Sequence, residues 1–178
     1  MSRRAGSFLG RDDDPRQTGA IEGGEREVLV DYLRAQRLTL ELKCSGLTAE
    51  QLARRSVEPS TMSLLGLVRH LADVERGWMR RTMAGLDAPP LWRLPDTDDD
   101  FDGAVADPEV VEEAWSRWRE ECAFTDRLVA STDLGATADH HGEPISLREV
   151  VVHLIEEYAR HNGHADLLRE RIDGRLGE

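Results

Sequence analysis

Residues 147–172 read LREVVVHLIEEYARHNGHADLLRERI, and this stretch decides the fold. At about 100° per residue, its main apolar positions fall on one stripe of a helix. The stripe comprises Leu147, Leu154, Tyr158, Ala165 and Leu168. Ser146 precedes the stretch as a helix N-cap, and Gly174 follows it as a residue that commonly ends helices. The sequence therefore predicts a long amphipathic helix that buries one face against other helices.

The same periodicity predicts three further helices upstream. They run over residues 25 to about 45, about 60 to 84 and 108 to about 130, the second capped by Ser60 or Thr61 and the third by Asp107. Two long connections, rich in proline, glycine and aspartate, separate the last three helices. No stretch alternates with period two, so no strand is expected. The prediction is an all-α four-helix bundle with long crossover connections.

Composition limits the domain plan and the function. Residues 1–22 lack apolar periodicity and are predicted to be a flexible arm, while residues 23–178 form the bundle domain. The formal net charge of −12 argues against a nucleic-acid-binding protein. No apolar run suits a membrane span or a secretory signal, so a cytoplasmic protein is expected. Cys44 and Cys122 form no metal or redox motif and are expected to be buried thiols without a catalytic role.

Three side chains are candidate ligands for a metal ion. Glu157 and His161 are four residues apart, so both leave the same face of the last helix, one turn apart. His70 lies at the edge of the apolar stripe of the second helix, and facing helices of a bundle can bring such positions together. Two imidazoles and a carboxylate would leave coordination positions open to substrate. The structural alternative stays open: hydrogen-bonded core histidines, and Glu157 paired with Arg160 or with an arginine from another helix.

Other polar side chains have two readings each. His153 and His164 either donate hydrogen bonds or contact substrate beside the metal, or they are ordinary residues at the flank of the helix. Glu75 falls in the apolar stripe of the second helix, where it would orient a ligand histidine or pair with an arginine across the bundle. His140 and His141 are expected to be solvated in a polar loop.

Two residue groups are expected to lie outside the chemistry. The acidic run from Asp96 to Asp102 lacks the spacing of an EF-hand and is read as a solvated loop with a lid role. Trp78, Trp115 and Trp118 are expected to pack in the core and at the lip of the bundle. No side chain is assigned as catalytic, because the chemistry is assigned to the metal centre.

Several segments together resemble the DinB superfamily, in particular its actinobacterial branch of mycothiol-transferase-like proteins. They are GLTAEQLARRSV, SLLGLVRHLADVE, HLADVERGW, EEYARHNGHADLLRE and RERIDG. The resemblance implies a DinB-like bundle that binds zinc or nickel through three side chains on two helices. Many such proteins use three histidines, whereas Glu157 takes one of those positions here. The implied ligand set is His70, Glu157 and His161, which is similar to that of the mycothiol-dependent maleylpyruvate isomerases.

The resemblance also implies a function. A thiolate of mycothiol, held by the divalent metal, would attack an electrophilic small molecule, which makes the chain an S-transferase. The implied partners are a low-molecular-weight thiol and an electrophile, with no nucleic acid and no membrane, and related bundles that pair leave a homodimer open. Two alternatives remain. One is a non-catalytic metal-binding or stress-response bundle, and the other is a metallohydrolase that needs no thiol.

Overall fold

A computed structural model describes residues 14–17, 23–92 and 99–176 of the chain. The elements are the helices α1 (Glu25–Cys44), α2 (Ala49–Leu52), α3 (Leu64–Glu75), α4 (Asp99–Asp102), α5 (Pro108–Ser131) and α6 (Leu147–Asp173), a π-helix over Arg76–Met83, and the strands β1 (Thr137–His140) and β2 (Glu143–Ser146). The long helices α1, α3 with its π-helical extension, α5 and α6 confirm the predicted all-α bundle. No described helix is long and apolar enough to cross a membrane.

The core lies between facing stripes of the long helices. Helix α1 packs against α6, α3 packs against α5, and α3 also contacts α6. The predicted stripe of α6 is buried throughout, with Leu147, Leu154, Tyr158 and Ala165 fully covered and Leu168 only 2% exposed. Leu64, Leu67 and Leu71 of α3 are also fully covered. Burial of this apolar surface holds α3 and α6 side by side, which matters for the site described below.

Side-chain caps mark the helix ends that were predicted on α5 and α6. The Asp107 carboxylate accepts a hydrogen bond from the backbone N–H of Glu109 at 2.8 Å. The Ser146 hydroxyl accepts one from the N–H of Glu149 at 3.2 Å. Gly174 ends α6 in the left-handed region, with φ of 80°. These three ends were readable from the sequence because each depends on local chemistry alone.

The start of α3 differs from the prediction. Its N-cap is Ser63, whose hydroxyl accepts the backbone N–H of Gly66 at 3.1 Å, so the cap is neither Ser60 nor Thr61. Ser60 instead accepts the N–H of Met62 at 3.2 Å, within the preceding loop. Ser60, Thr61 and Ser63 all carry hydroxyl groups, so the sequence alone does not distinguish them as N-caps. Burial of the leucines that follow Ser63 makes Ser63 the cap.

The second long helix changes its hydrogen-bonding pattern after Glu75. The backbone N–H of Ala84 donates to the carbonyl of Met79 at 3.0 Å, five residues back. The hydroxyl of Thr82 donates to the carbonyl of Gly77 at 3.2 Å, also five residues back. A π-helical stretch of this kind widens the turn and is frequently found at functional sites. Residue periodicity did not predict it, although it predicted the end of this helix near Ala84.

A β-hairpin before α6 was not predicted. Strands β1 and β2 pair antiparallel, with Thr137 opposite Ser146 and His140 opposite Glu143. The turn between them is made by His141 and Gly142, both with positive φ, at 56° and 90°. Positive φ at both turn residues suits a tight hairpin. The strands are four residues each and partly exposed, so they carry too little apolar alternation to be recognised.

Part of the predicted N-terminal arm contacts α1. Arg16 donates to the hydroxyl of Thr39 at 3.4 Å. Arg34 donates to the carbonyl oxygen of Pro15 at 3.2 Å. Residues 15 and 16 of the predicted arm therefore contact the bundle through these hydrogen bonds. Residues 1–13 and 18–22 of the arm lie outside the described ranges.

Candidate metal centre

The three predicted ligand side chains converge between α3 and α6. His161 Nε2 lies 3.4 Å from Glu157 Oε2, and His70 Nε2 lies 4.0 Å from the same oxygen. One donor atom from each of the three residues can be chosen so that all lie within 4.8 Å of one another. In the part of the chain that the structure describes, this is the one cluster of that kind.

The core beneath the cluster positions these side chains. Leu67 of α3 and Tyr158 of α6 are fully buried, which turns the neighbouring faces of the two helices toward each other. The ligand candidates stand at the border of that core. The exposed fractions of the His70, Glu157 and His161 side chains are 20%, 14% and 10%. The cluster is therefore sheltered but still accessible to a small molecule.

His161 is neutral at physiological pH in the absence of a metal. Burial lowers the pKa of His161 to about 4, and the nearby imidazole of His70 acts in the same direction, while the charge of Glu157 opposes them. A neutral imidazole carries a lone pair on one of its two nitrogens. This is the form that binds a metal ion.

Each of the two histidines has a partner on its other nitrogen. His70 Nδ1 lies 3.1 Å from Asp100 Oδ2, and His161 Nδ1 lies 3.3 Å from Nδ1 of His164. The Nε2 atoms of both rings therefore face Glu157. Metal-binding histidines commonly show this arrangement, in which the nitrogen that is not a ligand is held by a hydrogen bond. His164 was a candidate for such a role, whereas Asp100 was not.

The acidic run before α5 is not a solvated loop at every position. Asp100 is only 3% exposed. Arg69 of α3 donates to the backbone carbonyls of Asp99 and Asp100, at 2.9 Å each. The solvated-loop prediction for Asp96–Asp102 is therefore wrong for Asp100, while residues 93–98 lie outside the described residues. The contact with α3 draws this short helix against the cluster.

A cavity of about 270 Å³ opens beside the cluster. Its walls include His70 of the cluster and Asp100, its hydrogen-bond partner, together with Trp78, Arg81 and His140. Ligand-binding pockets commonly measure roughly 300–1,000 Å³, so this cavity lies just below that range and has room for a small ligand. An aromatic face and several hydrogen-bonding groups can contact a ligand that has both apolar and polar parts.

Trp78 lies between two histidines at this cavity. Its ring centroid is 4.7 Å from that of His153 and 4.6 Å from that of His140. His153 Nε2 is also 3.8 Å from Glu157 Oε1, so His153 stands directly beside the cluster. His140 was expected to be solvated in a loop, but β1 folds against the π-helix and brings it to the cavity wall. His141, in the hairpin turn, is exposed as expected.

Glu75 has the second of its two predicted roles. Its side chain is fully buried, and Arg37 of α1 donates to Oε1 at 2.8 Å. Tyr158 donates to the same oxygen at 3.0 Å, and Thr125 donates to Oε2. Burial lowers the pKa of Arg37, but the acidic groups around it, of which the Glu75 carboxylate contributes most, together raise that pKa well above its usual value. Glu75 is thus paired with an arginine across the bundle and does not contact His70.

Both cysteines are buried thiols, as predicted. Burial raises the pKa of Cys44 to about 12. Burial also raises the pKa of Cys122, and the adjacent charge of Glu75 adds to the effect. A thiol with a raised pKa stays protonated at neutral pH and is a poor nucleophile.

The cluster fits a divalent cation. Two imidazole nitrogens and one carboxylate oxygen are ligands that zinc and nickel accept. No hydrogen bond reaches the Glu157 carboxylate from any described residue, and the guanidinium of Arg160 stays 3.8 Å away. A largely covered carboxylate without a close donor needs another positive partner. A cation shared with His70 and His161 would supply it, whereas the structural alternative leaves Glu157 poorly satisfied.

A family model and a solved structure both match this chain. The sequence model of a family described as Mycothiol-S-transferase matches residues 28–174. A search of curated proteins found no match. Among solved structures, the crystal structure of a conserved protein from Enterococcus faecalis matches with a TM-score of 0.61 and 16% identity, over 85% of this chain and 99% of that chain. At that identity the likeness shows a shared fold alone.

Proposed function

This chain belongs to the mycothiol S-transferase family, and we propose that it is a divalent-metal-dependent enzyme that joins a low-molecular-weight thiol to an electrophilic small molecule. Mycothiol is the proposed thiol. His70, Glu157 and His161 would hold the metal, with zinc or nickel as the proposed ion. The observation that carries the proposal is the convergence of these donor atoms within 4.8 Å beside a cavity.

The chemistry divides between the metal and the chain. When bound, a divalent cation supplies the positive charge that lowers the pKa of a thiol and favours its nucleophilic form. His70 and His161 would offer imidazole nitrogens, and Glu157 would contribute a carboxylate oxygen with one negative charge. This ligand set leaves a divalent ion with a net charge of about +1, enough to favour an anionic sulfur. Burial of the cluster strengthens that attraction because water screens it less.

The cavity residues would hold the second reactant. Trp78 offers an aromatic face to its apolar part. Arg81 and His140 offer hydrogen-bond donors to its polar groups. The hairpin places His140 against the π-helix, so the two elements together line the cavity beside His70. This arrangement would bring an electrophilic carbon toward a sulfur held at the cluster.

The test is a conjugation assay on the full chain loaded with zinc or nickel. Mycothiol and monochlorobimane are the reactants: a sulfur–carbon bond forms, the carbon–chlorine bond breaks, and chloride and the thiol proton leave to solvent. We expect fluorescent conjugate that requires both the metal and the thiol. His161→Ala should abolish the enzymatic rate. His141→Ala, an exposed histidine in the hairpin turn, is the matched control and should keep it.

Other results would favour the alternatives. Metal binding at the cluster without conjugation, across a panel of electrophiles, would indicate a non-catalytic metal-binding protein. Hydrolysis of an ester or amide that is independent of thiol would indicate a metallohydrolase. A conjugation rate that is unchanged by His161→Ala would contradict the proposed site.

A further inference from the structure

We propose that Asp100 is a positioning residue for His70: its carboxylate holds the imidazole so that Nδ1 carries the proton and Nε2 presents its lone pair to the cluster. The effect of Asp100 on metal binding rests on the proposed function, in which His70 is a metal ligand. The orientation itself is a property of the chain and can be tested without a metal.

The hydrogen bond between the two side chains sets the tautomer. Asp100 Oδ2 lies 3.1 Å from His70 Nδ1. An ionised carboxylate only accepts hydrogen bonds, so Nδ1 must be the donor. In a neutral ring, Nε2 is then the nitrogen with the lone pair, and it lies 4.0 Å from Glu157 Oε2. Without Asp100, the proton of the neutral ring can lie on Nε2 instead, and that nitrogen then has no lone pair for a cation.

The buried carboxylate of Asp100 makes few contacts: the positive charge of Arg69 lies near it, and His70 donates to it. Its side chain is 4% exposed, and no donor from the described residues reaches its Oδ1. Burying a carboxylate costs free energy unless it is well paired. The single hydrogen bond to His70 therefore points to a role at the cluster.

The backbone around Asp100 is fixed from the helix that carries His70. Arg69, the residue next to His70, donates to the carbonyl oxygens of Asp99 and Asp100. Phe101 stacks on the His70 ring, with the centroids 5.7 Å apart. Helix α4 thus touches His70 through a hydrogen bond and through an aromatic face, which together restrict rotation of the ring.

The close approach of α4 to α3 depends on Gly66. A Cβ atom at Gly66 would lie 2.5 Å from Cδ1 of Phe101 and 3.3 Å from its Cα. A side chain at this position would therefore push Phe101, and Asp100 beside it, away from His70. This provides a variant that disturbs the contact without altering the carboxylate.

The experiment measures the tautomer and the metal affinity separately. Long-range ¹H–¹⁵N NMR of the full chain, freed of metal by chelation at neutral pH, reports which nitrogen of His70 carries the proton. Zinc affinity is measured by competition with a chromophoric chelator. Asp100→Ala is the main variant. Asp102→Ala is the matched control, because Asp102 is 60% exposed on the same short helix and pairs with Arg55.

We expect the parent and Asp102→Ala to show the Nδ1–H form of His70. Asp100→Ala should shift His70 toward the Nε2–H form and weaken zinc binding by about 10–100-fold, the usual effect of losing such a partner. Asp100→Asn retains an acceptor oxygen, so most of His70 should stay in the Nδ1–H form. Its loss of zinc affinity should be smaller than that of Asp100→Ala. Gly66→Ala should act in the same direction as Asp100→Ala.

The outcomes separate the two proposals. A tautomer change in a protein that binds no zinc in any form would support the positioning role and contradict the proposed function. An unchanged tautomer in Asp100→Ala, or an Nε2–H form in the parent, would overturn the positioning role whatever the affinity. Should Asp100→Ala fail to fold, Asp100→Asn and Gly66→Ala decide the matter by the same two measurements.

Discussion

His70 Nε2, on α3, lies 4.0 Å from Glu157 Oε2, on α6. The two residues are far apart in sequence, and the packing of one helix on the other brings them together. The cluster is therefore a product of the packing of the bundle core. We expect that its side chains can be substituted without unfolding the protein.

Loss of a ligand side chain should weaken metal binding strongly. We expect His70→Ala and Glu157→Gln each to lower zinc affinity by more than about tenfold, measured by competition with a chromophoric chelator. Circular dichroism should show unchanged helix content, because the packed apolar stripes hold the bundle. Glu156→Gln is the matched control, since Glu156 is exposed on the same helix. Equal affinities in the parent and both variants would mean that the ligand assignment is wrong.

Removal of Glu75 should destabilise the fold and leave the cluster intact. Glu75→Ala leaves the guanidinium of Arg37 buried without its main partner, which costs about 3 kcal/mol of unfolding free energy. Urea denaturation followed by circular dichroism measures the loss. Zinc affinity should change little, because Glu75 contacts none of the ligands.

The control for Glu75 is Glu25→Ala, which removes an exposed pair with Arg148. Exposed pairs contribute little to stability, so its unfolding midpoint should stay near that of the parent. Similar midpoints for Glu75→Ala and Glu25→Ala would show that the buried pair is not needed for stability.

The cap of α3 can be located by a pair of serine variants. Ser63→Ala removes the acceptor for the N–H of Gly66 and should cost about 1 kcal/mol of unfolding free energy. Ser60→Ala should cost less, because Ser60 caps no helix. The same urea titration measures both. A larger loss for Ser60→Ala than for Ser63→Ala would place the helix start where the sequence alone had suggested it.

Trp78 should affect substrate binding and leave metal binding unaffected. Trp78→Ala removes the aromatic wall of the cavity, and we expect KM for the electrophile to rise about tenfold, equivalent to about 1.4 kcal/mol. Zinc affinity should be unchanged. Trp115→Ala is the control, since Trp115 packs edge-to-face against Trp118 on α5. A rise in KM of the same size in Trp115→Ala would contradict a specific role for Trp78.

Local patterns in the sequence were sufficient for the helices and for the three ligand candidates. The spacing of Glu157 and His161 follows from helix geometry, which any helical stretch obeys. His70 could be proposed because the apolar stripe beside it indicates which face meets the core. The caps on α5 and α6 were equally local. Such features need no knowledge of how distant segments fold.

The remaining features depend on contacts that no local pattern records. Asp100 stands in a run of aspartates that looks solvated, and its burial depends on Arg69 drawing the connection against α3. His140 reaches the cavity because a hairpin of two short strands folds over the π-helix. Glu75 could be assigned to the core from the sequence. Its pairing with Arg37, and not with a histidine, depends on how α1 packs against the other helices.

The most direct test is an anomalous diffraction map from crystals of the full chain grown with zinc at neutral pH and without chelators. We predict one strong peak, about 2.0–2.2 Å from His70 Nε2, His161 Nε2 and a carboxylate oxygen of Glu157. A peak at another place, or these three groups each bonded to other protein atoms with no ion between them, would contradict this prediction.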